Sequence, residues 1–156
     1  IPFAVVPSLQ PCTYLIICSG VALGPIAGFL VGALTVLASN FFLGHGFWTP
    51  YQVLAWGLAG VISPLLAKHF REDRRRLRIF LVALGVVWAY VYGAILNVSW
   101  WLYFVQPLSL ETFLLAQASS FWFDTVHAVG NAVFLSVLGL KTISIIESMQ
   151  SRMLPH

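Results

Sequence analysis

Long apolar runs alternate along the chain with short breaks rich in polar residues, proline or glycine; the runs lie at about 11–23, 25–43, 50–67, 79–105 and 121–146. A bilayer core about 30 Å thick takes roughly 20 apolar residues of helix, so all the runs except the first are long enough to cross one. The pattern predicts five visible helices in an all-α integral membrane protein. The first run is short, and the Gly24-Pro25 pair separates it from the second as a turn followed by a helix start. Ahead of it, IPFAVVPSLQP carries three prolines and reads as an extended lead-in. No repeat or flexible linker divides the chain, so residues 1–156 read as one transmembrane domain. Gly24, Gly28 and Gly32 stand at helical spacing on the second run, and Gly85, Ala89 and Gly93 repeat the spacing on the fourth. Such small residues let helices approach closely; packing within the chain is the first reading, and docking of a partner subunit the second.

Composition strengthens the membrane assignment, since 60% of the residues are hydrophobic and only 8% charged. Charge position then sets an expected orientation. Six of the eight basic residues, Lys68, Arg71, Arg74, Arg75, Arg76 and Arg78, lie in KHFREDRRRLR, a cytoplasmic loop by the positive-inside rule. Such a short run between two spans, without interleaved aromatics, is a poor nucleic-acid site. Alternating crossings from that loop put Lys141 and Arg152 on the cytoplasmic side, residue 1 outside and residue 156 inside. The odd number of spans, together with a start at Ile1, leads us to expect one more helix before Ile1, six in all. Cys12 and Cys18 form no CxxC pair and read as small core residues.

The polar residues within the spans cluster by depth. Gln10, Thr13 and Tyr14 open the first, Ser39 and Asn40 close the second, and Gln52 and Trp56 open the third. Asn97, Trp100, Trp101 and Tyr103 fall in the outer half of the fourth, and Asp124, His127 and Asn131 in the outer half of the fifth. Polar groups are costly in a membrane unless they pair or line a cavity, so a polar and aromatic cavity opening outward is predicted. Asp124, His127 and Asn131 share one helix face at i, i+3 and i+7, and Gln52/Trp56 and Asn97/Trp101 are i, i+4 pairs. Blander readings stand beside this one. Asp124 also suits a helix N-terminus after Ser119-Ser120, His127 a neutral core histidine bonded to Asp124 or Asn97, and Trp48, Trp100 and Trp101 an interfacial aromatic belt. GxSxG, HExxH, CxxC and paired carboxylates are missing from the sequence, which argues against an enzyme. An intramembrane enzyme using Asp124 and His127, or an accessory subunit with its aromatic stripes turned to lipid, remain as alternatives.

The break SNFFLGHGFWTPYQ is the most specific segment. Its glycines permit a tight reversal, Thr49 is placed to cap the third helix ahead of Pro50, and His45 and Trp48 are left to face a ligand. PSLQP, GPIAGFLVGAL, SNFFLGHGFWTPYQVLAWGLAG and FDTVHAVGNAVF, in that order, resemble the substrate-binding S component of energy-coupling factor (ECF) transporters. The nearest branch has a loop reading roughly SNFFxGQGxWTPWQM. His45 replaces its glutamine, Phe47 a common proline and Tyr51 a tryptophan. The resemblance implies a six-helix cup in a prokaryotic plasma membrane that captures a vitamin-type nutrient from outside and works with a T component and two ATPases. It implies a cargo rather than a cofactor, with cobalamin the first choice; His45, His127 or Cys12 would then be available to its cobalt. The family's first helix, with its small-residue docking motif, is absent from the visible runs.

Overall fold

A computed structural model describes residues 11–153. Gln10 and the lead-in before it lie outside the described residues. The elements are α1 (Cys12–Leu23), α2 (Pro25–Leu43), α3 (Thr49–Ala67) with a 3-10 turn at Lys68–Phe70, α4 (Arg74–Phe104), α5 (Leu110–Ser119), α6 (Phe121–Phe134), a π-helical turn at Leu135–Gly139, and α7 (Leu140–Met153). No strand occurs among the described residues. Four segments are long and apolar enough to cross a membrane: Pro25–Leu43, Thr49–Phe70, Arg74–Phe104 and Phe121–Met153. Helix α1, at 12 residues, spans only about 18 Å at 1.5 Å per residue.

Two boundaries differ from the sequence reading for identifiable reasons. Helix α4 begins at Arg74 rather than near 79, because the extended Asp73 caps it by accepting from the backbone N–H groups of Arg75 (2.8 Å) and Arg76 (3.2 Å). Those bonds favour the ionised carboxylate and hold the Asp73 carboxyl below its usual range. The unexpected α5 is too short and too mixed to read as a span. It starts at a capping box in which Ser109 and Thr112 satisfy each other's backbone N–H.

Helix α2 shows how the bundle is assembled without a hydrophobic driving force between helices in lipid. Ile26, Leu30, Leu34, Leu37 and Phe41 form an exposed apolar stripe on it, whereas Gly28, Gly32, Val36 and Asn40 are buried on its other side. A Cβ on Gly28 would strike the Gly60 backbone, one on Gly60 would strike the Gly28 backbone, and one on Gly32 would meet the Trp56 carbonyl at 2.6 Å. The α2–α3 contact is therefore backbone against backbone. Gly28 and Gly32 fulfil the packing expectation inside the chain. Gly24 does not: with φ at +95° and nothing within 4 Å of its would-be Cβ, it makes the reversal between α1 and α2.

Helix α1 forms the centre. Ile16, Ile17 and Cys18 are fully buried; Ile17, Cys18 and Val21 pack with Leu77, Leu81, Leu135 and Ile143 of α4, the π turn and α7. Tyr14 stacks on Phe134 and shares a hydrogen bond with the Thr142 hydroxyl. Where α1 ends, the Arg71 guanidinium donates to the Val21 carbonyl and to Glu147 Oε1 at 2.9 Å, tying α1, the α3–α4 connection and α7 together.

Candidate functional site

At the end opposite the arginines, the second and third helices are joined by a polar relay. Asn40 Nδ2 donates to Gln52 Oε1 (2.8 Å) and to Thr49 Oγ1 (3.0 Å), and Gln52 Nε2 donates to the Tyr92 hydroxyl (3.2 Å) on α4. Trp56, one turn along α3 from Gln52, stacks on Tyr92 with ring centroids 5.0 Å apart. His127 meets the Tyr92 ring edge-on. These side chains line a cavity of about 210 Å³, with Ser39 and Leu43 on its α2 wall. Four residues chosen from sequence, Asn40, Gln52, Trp56 and His127, come together here. Tyr92 was missed, although its position one turn before Leu96-Asn97 and four residues after Trp88 marks an aromatic face of α4.

Beneath the cavity, Thr13 holds the floor. The Trp56 indole N–H donates to Thr13 Oγ1 at 3.0 Å, and the same hydroxyl lies 2.9 Å from His127 Nε2. One hydroxyl, with one hydrogen and two lone pairs, can serve both neighbours. His127 is thus bonded to Thr13 rather than to the expected Asp124 or Asn97. With 8% exposure for His127 and 5% for Trp56, both face inward rather than toward lipid.

A second, more aromatic cavity of about 510 Å³ lies between the loop, α4 and α6, lined by Phe47, Trp48, Asn97, Trp100, Phe104 and Phe123 among others. Phe47 locks the loop down, its ring centroid 4.8 Å from that of Phe104 and 5.0 Å from that of Tyr103. Asn97 Nδ2 donates to Ser120 Oγ, which donates to Asp124 Oδ2, each at 2.6 Å. Asn97 and Trp48 therefore belong to this chamber, with Asp124 held behind its wall against Gly93.

The remaining candidates sit elsewhere. His45 is exposed and lines neither cavity. Trp101 turns to α5, donating from its indole to Thr112 Oγ1 at 3.0 Å and packing edge-on to Phe113. Asn131 lies deeper, fully buried, donating to the Gly85 carbonyl at 2.9 Å. Thr49 is the first helical residue of α3 and Trp48 the cap position; the Thr49 hydroxyl accepts from the Gly46 N–H, so it braces the loop rather than capping the helix. No group of three or more His, Cys, Asp or Glu side chains suited to a metal occurs among the described residues.

Comparison with known proteins agrees with this architecture. The family described as ECF-type riboflavin transporter, S component, matches residues 1–148. The chain is 30% identical over 148 residues to a UPF0397 protein of Aliivibrio salmonicida, covering 89% of this chain and 74% of that one. It is 28% identical over 145 residues to a UPF0397 protein of Vibrio atlanticus, covering 88% and 75% respectively. No solved structure matches the chain. A helical membrane protein whose inward-facing polar and aromatic side chains line cavities at one end, and which matches that family over nearly its full length, belongs to the S components of ECF transporters, the membrane-embedded substrate-binding subunits of those importers.

Proposed function

We propose that this S component captures a flat, hydrogen-bonding heteroaromatic vitamin of the riboflavin kind. The carrying observation is the Asn40–Gln52–Tyr92 relay set against the stacked Trp56–Tyr92 pair. Tyr92 accepts from Gln52 and keeps its own hydrogen to donate; Gln52 Nε2 has a second hydrogen, and Asn40 Oδ1 meets only the Ser39 hydroxyl at 3.5 Å. Two donors and one acceptor suit the C=O, N–H, C=O edge of a cyclic imide. The aromatic chamber between the loop, α4 and α6 offers stacking surface of the kind such a ring system needs. The riboflavin in the family's description favours the same chemistry. A corrinoid, the first choice from the loop resemblance, has no such support in the family's description.

In this reading the arginine end is cytoplasmic, residue 1 is outside, the loop 44–48 covers the site, and a T component with two ATPases supplies the energy for import. Titration of the purified protein with riboflavin, followed by quenching of tryptophan fluorescence, is expected to saturate, with cobalamin giving no saturable signal. Saturation by cobalamin and not by riboflavin would overturn the cargo assignment.

A further inference from the structure

The arginine end carries a groove of about 680 Å³ between α4 and α7, lined by Arg74, Arg75, Arg78, Lys141 and Ser144, with Val137 and Leu140 above them. Arg74, Arg75 and Arg78 stand at i, i+1 and i+4 on the first turns of α4, and Lys141 and Ser144 at i, i+3 on α7. No acidic side chain lines the groove with them. The ion pairs found among the described residues are Arg71–Glu147 and Arg76–Asp73, and neither includes a groove cation. Arg74 donates to Ser144 Oγ at 3.2 Å and Arg75 also feels the Asp73 carboxylate of the helix cap, but no carboxylate lines the groove beside Arg75, Arg78 and Lys141. Like charges gathered in a cleft repel unless an anion joins them.

Beside the cations the groove is lined by the apolar Val137 and Leu140. Ile79, Val133 and Val137 are exposed on the side toward the middle of the spanning helices, Val137 at 71%. A basic pocket at the end of membrane-crossing helices, continuing into a greasy outer face, matches a molecule with an anionic head and acyl chains. A free anion or an acidic peptide would satisfy the cations and leave that face unused. We propose that the α4–α7 groove binds the phosphodiester headgroup of an anionic phospholipid, with Arg75, Arg78 and Lys141 on the phosphate and Val137 against the first acyl carbons. This site is separate from the substrate cavities and depends on neither the cargo nor the orientation proposed above.

The test is native mass spectrometry of the full chain in detergent with phosphatidylglycerol or phosphatidylcholine of matched acyl chains. Phosphatidylglycerol is expected to be retained in preference. Arg78→Gln should weaken that retention about fivefold, whereas Arg76→Gln, which removes the same charge outside the groove, should change it by less than about twofold. Lys141→Gln, on the facing helix, gives an independent reading if Arg78→Gln fails to fold. Equal retention of the two lipids, equal losses for the groove and Arg76 variants, or displacement of the lipid by equimolar inorganic phosphate or acidic peptide would overturn the proposal.

Discussion

The two helix seams that frame the cavities are closed by different means. Between α2 and α3, added Cβ atoms on Gly28, Gly32 and Gly60 would meet backbone. Between α4 and the α6 region, a Cβ on Gly85 would meet the tip of the Leu135 side chain and one on Gly93 the Asp124 carboxylate. Backbone cannot step aside; a side-chain end can rotate. Added bulk therefore meets an unyielding partner at the first seam and a side-chain end at the second.

The sharpest way to break this contrast is to put alanine on each seam. Gly60→Ala is expected to cost about 3 kcal/mol or more, because α2 and α3 must separate, and Gly85→Ala about 1 kcal/mol. Thermal unfolding in detergent measures both; equal losses would mean that the two seams are equally rigid. Next in size is Thr13→Val, which strips Trp56 and His127 of their common partner and should cost about 2 kcal/mol. A cycle with His127→Leu should recover part of that loss.

Smaller effects fall on binding. Gln52→Ala is expected to weaken riboflavin capture about tenfold with little change in unfolding temperature, since it breaks the relay at its middle. His45→Ala, exposed and off both cavities, should stay within about twofold of the parent. The smallest effect is the acid response of the α4 cap. The Asp73 carboxyl is held below its ordinary value, so the cap's contribution is complete above the unfolded-state value and fades as pH falls through the lowered folded-state value. Asp73→Asn should flatten that acid limb, measured as unfolding temperature against pH.

Much of this was legible in the sequence because membranes impose simple rules. Span length marked out the four long helices. That Asn40, Gln52, Trp56 and His127 would meet around one cavity was legible because polar groups at matching depth on neighbouring spans have few other reasons to coincide. His45 and Trp101 were misleading for one reason: both stand out in sequence, but which way a side chain points is set by contacts far along the chain. Phe47 pins the loop so that its neighbour Trp48 lines the chamber and His45 does not, and Thr112, on a helix the hydrophobic pattern hid, draws Trp101 away. Thr13 shows the converse, since a small hydroxyl in a short apolar run gives no hint that it joins two other helices.

The π turn at Leu135–Gly139 has a consequence for how the chain tolerates length changes. A π turn holds one residue more than the α-helical turn it replaces, and removing a residue there would restore a plain helix. Everything beyond it would then keep its facing, because five residues of π turn sweep nearly the same angle as four of α-helix. Lys141 and Ser144 would stay on the groove, Thr142 beside Tyr14, and Glu147 beside Arg71. The cavity end, built from residues before the turn, would keep its own register. That five-residue turn takes up one residue of length within a single span, so the faces of its two halves stay matched whether or not the extra residue is there.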